Sequence, residues 1–91
     1  RVKKMEKKTV TRQDFLMAAA ELAKELRRPY IVSIWAGDGS VTMGVSQCEA
    51  GTKFTTVSDY RFYPWRSDEE NNEQYRLMCD EVKTIIDSQR V

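Results

Sequence analysis

YIVSIWAGDGSVTMGVSQCEAGTKFTTV, residues Tyr30 to Val57, holds three apolar runs joined by two glycine turns. The first run, Tyr30 to Ala36, is rich in β-branched and aromatic residues, which suit the pleated surface of a strand. It ends at Gly37-Asp38-Gly39-Ser40. An Asp-Gly pair between apolar runs marks a two-residue hairpin, because both central residues of a type I′ turn need positive φ. With Asp38 and Gly39 as the loop, Gly37 faces Ser40, Ala36 faces Val41, Ile34 faces Met43 and Val32 faces Val45. The last three pairs form an apolar side suited to receive helices. Ile31, Ser33, Trp35, Thr42, Gly44 and Ser46 lie on the other side.

The second turn contains Glu49-Ala50-Gly51. A two-residue Ala50-Gly51 loop forces Ala50 into positive φ, which its Cβ resists. A three-residue loop needs only its last member left-handed, and Gly51 stands there. This register pairs Val45 with Thr55 and Met43 with Val57 on the core side, and sets Phe54 beside Ser46 on the outer face.

Helices are expected on both flanks. Thr11 reads as an N-cap with Asp14 in the first turn, and Phe15, Leu16, Ala19, Leu22, Ala23 and Leu26 recur at helical spacing until Pro29 stops the helix. Ser67 and Glu70 spell a capping box, followed by the stripe Tyr75, Met78, Cys79, Val82, Ile85 and Ile86, with an end near Ser88. Between strand three and this helix lies a dense segment, Tyr60 to Arg66. Its expected role is to close the core with at least two of Tyr60, Phe62 and Trp65, leaving Arg61, Tyr63 and Arg66 outside. Strand three is left to end at Ser58 or run on through Phe62. The order is α-β-β-β-α, and the economical packing is an α+β two-layer sandwich, a three-stranded antiparallel meander with two helices on one face.

Ninety-one residues make one domain, read as a flexible basic arm over 1–10 and a single α+β domain over 11–91. No apolar run reaches the ~20 residues of a membrane span, and no signal-peptide core is visible, so membranes are not expected as partners. Two cysteines, Cys48 and Cys79, are too few for a disulfide scaffold and fit a reducing cytoplasm. Cys48 falls on the outer sheet face and Cys79 on a core-facing stripe, so no bond is expected between them. Charge is uneven. Arg1 to Tyr30 carries nine Lys/Arg against four Asp/Glu, whereas Ile31 to Val91 carries six against ten. Such polarity steers a charged partner or simply reflects a basic leader on a mildly acidic domain.

The chain contains no histidine, which removes imidazole triads and histidine zinc sites and leaves either cysteine without its usual activator. The acidic cluster Asp68, Glu69, Glu70 and Glu73 matches no calcium loop, and first-turn acids already serve a helix start. Gly37-x-Gly39 lies in a hairpin turn with no helix after it, unlike a phosphate-binding loop. No enzyme activity, cofactor, metal or small-molecule substrate is expected.

The outer face presents Ile31, Trp35 and Phe54 among small polar residues, with Arg61, Tyr63 and Arg66 at its edge. Aromatic anchors ringed by small polar groups suit a protein partner. They also suit unpaired bases, although few cations lie nearby to hold phosphates. A third reading has the Trp35 ring shielding Gly44 diagonally across the hairpin. The leading expectation is therefore a small non-catalytic protein-binding module, of the size of phage or mobile-element inhibitors and regulators. Asp68, Glu69, Glu70 and Glu73 add an acidic patch that mimics nucleic-acid charge. Self-pairing into a homodimer through exposed sheet edges is close behind. The alternative is nucleic-acid binding through Lys3, Lys4, Lys7 and Lys8 with Lys24, Arg27 and Arg28. As topology alone, the element order from Thr11 to Ser88 is similar to that of double-stranded RNA-binding domains. Those domains bring a lysine-rich start of the second helix to RNA phosphates. This chain puts the acidic cluster there.

Overall fold

The computed structural model describes residues 9–49 and 53–90. Helix α1 spans Arg12–Glu25, strands β1, β2 and β3 span Tyr30–Gly37, Ser40–Glu49 and Lys53–Phe62, and helix α2 spans Asp68–Gln89. The strands form one antiparallel sheet in the order β1-β2-β3. Both helices start with complete capping boxes: Thr11 with Asp14, and Ser67 with Glu70. Each satisfies backbone donors that a helix start leaves unpaired. Packing already begins at Val10, whose N–H donates to Asn72 Oδ1 at 2.9 Å. Residues 1–8, which hold most of the expected arm with Lys3, Lys4, Lys7 and Lys8, lie outside the described residues.

The first hairpin has the expected register, from Gly37 opposite Ser40 to Val32 opposite Val45. Its loop residues sit at φ 52° (Asp38) and φ 78° (Gly39), the left-handed pair that the turn requires. The core lies between the sheet and the two helices. Phe15 and Ala19 of α1, Val41, Met43 and Val45 of β2, Tyr60 and Phe62 of β3, and Met78, Val82 and Ile86 of α2 are all buried. Fully burying a side chain such as Phe15 contributes roughly 1.5–3 kcal/mol relative to leaving it in water. Its ring lies 5.9 Å from Phe62 and 6.3 Å from Tyr75, so one aromatic side chain joins α1, β3 and α2.

The second hairpin departs from expectation. Cys48 pairs with Phe54, Ser46 with Thr56, and then Val45 with Ser58 and Met43 with Tyr60. Thus Val45 does not meet Thr55, Met43 does not meet Val57, and Phe54 is not beside Ser46. Two changes combine. The pairing is shifted by two residues, with Glu49 opposite Lys53, and Val57 is an extra residue where the register breaks between Val45 and Ser46. The bulge inverts which side of β3 faces the helices. Phe54 and Thr56 point outward before it; Tyr60 and Phe62 point inward after it. Continued through Phe62, the pairing of Met43 with Val57 would bury Val57 and turn Tyr60 and Phe62 outward. The observed one buries both rings, and β3 runs on through Phe62. Residues 50–52, with the Gly51 on which the turn was argued, lie outside the described residues.

Candidate interaction surface

The sheet face opposite the helices carries the candidate side chains, and the β-ladder sets their rows. Trp35, Thr42 and Arg61 stand side by side across the three strands, as do Ser33, Gly44 and Asp59. Ile31 shares a row with Ser46 and Thr56, and Cys48 pairs with Phe54. Exposure confirms an outward set: Trp35 is 73% exposed, Phe54 61% and Ile31 44%.

The six expected contacts do not form one patch. Trp35, Arg61 and Tyr63 line an open depression of about 580 Å³, together with Ser33, Thr42, Gly44 and Asp59. At Gly44, which also lines it, an added Cβ would stand 3.2 Å from both Asp59 Oδ1 and Ser33 Oγ. Arg66 belongs to the same end: its guanidinium lies 4.5 Å from the Tyr63 ring centroid, and its Nη1 donates to Arg61 O at 3.4 Å. Ile31 and Phe54 lie at the other end of the sheet. Four residues of strand separate Ile31 from Trp35, roughly 13 Å. There Ile31 lines a second hollow of about 360 Å³ with Arg28, Pro29 and Cys48.

Two of the three rings expected to close the core, Tyr60 and Phe62, do so; the third, Trp65, is 71% exposed, and its ring stacks on Tyr63 at 5.0 Å and 19°. The cause is a β-turn closed by Arg66 N–H donating to Tyr63 O at 3.1 Å. Pro64 supplies its second residue, where a ring-fixed φ is favoured. A proline followed by an aromatic just before a Ser-x-x-Glu cap was the signal for this exposed ring. Tyr63 and Arg66, expected outside, are half-buried because they lie against these neighbours.

Helix α2 holds this end of β3 in place. The buried Asn71 side chain accepts from Tyr63 N–H at 3.2 Å and donates to Tyr63 O at 2.8 Å, and Gln74 Oε1 accepts from Arg61 N–H at 2.9 Å. Two amide side chains thus stand where the next strand would be. Below the rings, Tyr60 Oη donates to Glu81 Oε1 at 2.7 Å. Burial, reinforced by that carboxylate, pushes the Tyr60 phenol up to about 12.

The acidic patch is partly committed elsewhere. Glu70 closes the capping box, and Glu73 pairs with Arg76 at 2.6 Å, whose hydrogen bonds hold its carboxyl below the ordinary value. Asp68 and Glu69 make no hydrogen bond or ion pair among the described residues, and Arg66 lines a shallow hollow with Glu69, Glu70 and Glu73. Among the described residues no group of three or more His, Cys, Asp or Glu side chains is placed to hold a metal ion.

Of the cations in the alternative site, Lys24, Arg27 and Arg28 are exposed at the far end of β1 from the ring cluster. Lys24 lies 3.9 Å from Glu21, and Gln89 fixes the backbone of Arg27 and Arg28 by accepting from Arg27 N–H and donating to both carbonyls. Both cysteines are free thiols, and burial raises the Cys79 thiol. No helix among the described residues is long and apolar enough to cross a membrane. No protein family, curated protein or solved structure matches this chain.

Proposed function

We propose that this is a small non-catalytic binding module that docks on another protein through the open sheet face. The anchor is the group formed by Trp35, Tyr63 and Trp65, flanked by Arg61 and Arg66, with Ile31 and Phe54 as a second contact. The reading rests on one observation: two tryptophan rings more than 70% exposed, Trp35 lining an open depression and Trp65 stacked on the Tyr63 that also lines it, beside two arginines. Trp, Tyr and Arg are the types that dominate binding energy at interfaces. Holding two such rings in water serves no purpose in packing.

Charge around the rings favours a protein over a nucleic acid. Asp59 sits in the depression, paired with Arg61 at 3.3 Å, and Asp68 and Glu69 follow Arg66 after the Ser67 cap. Phosphates approaching the rings meet these carboxylates, while Lys24, Arg27 and Arg28 lie at the other end. Docking by a domain without chemistry acts by occlusion, as an inhibitor or regulator of the kind phages and mobile elements carry. Two free thiols suit action in a reducing cytoplasm.

The test is affinity capture with the wild type and with Trp35→Ala and Trp65→Ala. Each variant should fold as the wild type does and lose at least about tenfold in affinity for the captured protein, as expected of an interface anchor. Unchanged capture by both variants removes the surface from consideration.

A further inference from the structure

The two edges of the sheet are finished differently. Along β3 the edge is broken by the bulge at Val57, bears Lys53, Asp59 and Arg61, and is capped at its end by Gln74 and Asn71. These are the devices by which proteins block strand-to-strand pairing. Along β1 there are none. Tyr30–Gly37 is eight residues with no charge, proline or bulge. A two-residue hairpin closes on a hydrogen-bonded pair, so Gly37, Trp35, Ser33 and Ile31 spend their backbone groups on β2. Val32, Ile34 and Ala36 therefore direct theirs outward, and no hydrogen bond to them is present among the described residues.

From this asymmetry we infer that the β1 edge pairs with the β1 edge of a second copy of this chain. The pairing is antiparallel about a two-fold axis at Ile34 and gives a continuous six-stranded sheet. The register follows from elimination. Centring on Ile34 joins Ile34 to Ile34 of the second copy and Val32 to Ala36 of the second copy, so all three outward residues bond in both chains. Moving the centre toward the N-terminus brings in Tyr30, whose N–H already donates to Arg27 O at 3.0 Å. Moving it toward the hairpin sets Trp35 against itself and leaves Val32 without a bonding partner.

Side-chain sizes agree with the same register. Across the dyad Val32 meets Ala36, Trp35 meets Ser33 and Ile31 meets Gly37, so away from the Ile34 pair on the axis each large residue faces a smaller one. No charge opposes its own copy, and the exposed flanks of Ile31 and Trp35 gain cover. A foreign strand shares the backbone chemistry but not this pattern of matched sizes. The inference uses the edge of the sheet rather than the open depression, so it stands or falls apart from the docking proposal.

Sedimentation of the full chain, with amide hydrogen exchange at the same concentration, tests it. The expected mass is twice the 10.6 kDa of one chain, with Val32, Ile34 and Ala36 amides protected in the dimer and exchanging faster on dilution. Ala36→Pro removes only an outward N–H, on an exposed residue, and should halve the mass while the circular dichroism and melt of the fold persist. Should that variant unfold, the concentration dependence of the three wild-type amides still decides. A monomer with these amides unprotected at all concentrations overturns the inference and leaves the edge to a strand of another protein. A dimer with them unprotected, or one that survives Ala36→Pro, overturns it in favour of another surface.

Discussion

Tyr60 shows how one residue links burial to pH. Its ring is 3% exposed beneath Met43, and its hydroxyl reaches Glu81, so ionising it in the folded state sets a phenolate against a carboxylate. Burial first, then the neighbouring carboxylate, pushes the folded phenol up to about 12, above its ordinary 10.0 in the unfolded chain. This contribution is therefore intact below about pH 10 and is lost as pH rises toward 12. At 1.36 kcal/mol per unit the full loss is about 2–3 kcal/mol. Urea unfolding followed from pH 8 to 12 should show it, and Tyr60→Phe should flatten the alkaline slope while costing about 1 kcal/mol at neutral pH. An unchanged slope would mean that other groups govern alkaline unfolding. Gly39 is a second site where one atom matters: φ is 78°, and a Cβ would stand 3.1 Å from Pro64 Cγ. Gly39→Ala should cost about 1–3 kcal/mol by the shift in urea midpoint, since it adds backbone strain and pushes on the turn that carries Trp65.

At the scale of elements, the strand end and helix α2 depend on each other through Asn71. Asn71→Ala strips the Tyr63 N–H of its partner and leaves the Tyr63 C=O with only the Arg66 N–H. A loss of about 2–3 kcal/mol is expected, with the m-value unchanged if the fold stays two-state. Exchange should rise at Tyr63 and Arg66 before it does in β2. The same junction marks where sequence legibility ends. The first hairpin was readable because Asp38-Gly39 permits one loop and one parity. Both helices were readable because Thr11, Ser67 and the apolar stripes act within a few residues. The β2–β3 register was not, because a bulge at Val57 carries no glycine or proline and is selected by distant contacts. Burial of Tyr60 and Phe62 against Met43, Val41 and Phe15 outweighs the local preference of the turn. Which two of Tyr60, Phe62 and Trp65 would be buried was open for a related reason. Hydrophobicity places such rings inside, whereas the Tyr63–Arg66 turn carries Trp65 out onto Tyr63. Of the candidate contacts, the outward set on β1 followed from alternation alone. Their division into two clusters was hidden, since it depends on the shifted pairing that brings Arg61 level with Trp35.

For the whole molecule, the separation of the rings from Lys24, Arg27 and Arg28 yields the sharpest prediction. Trp35 and Trp65, both more than 70% exposed, are the only tryptophans, so intrinsic emission reports on the ring cluster alone. It should be that of water-exposed indole and readily quenched by acrylamide. The nearest exposed cations of the alternative site, Arg27 and Arg28, lie beyond the start of β1. That is about seven residues of extended chain, roughly 20 Å, from Trp35. At the rings Arg61 is paired with Asp59 and Arg66 is packed on Tyr63. Base stacking there would have to proceed beside carboxylates and with few free cations for the phosphate contacts that supply most nucleic-acid affinity. Titrating with single-stranded and duplex oligonucleotides at low salt should therefore leave the emission unchanged, whereas a protein partner should shift it to the blue. If an oligonucleotide instead quenches it, with affinity falling steeply as salt rises, nucleic-acid binding becomes the better reading. In that case deleting the residues before Val10 should abolish the effect, because they carry Lys3, Lys4, Lys7 and Lys8.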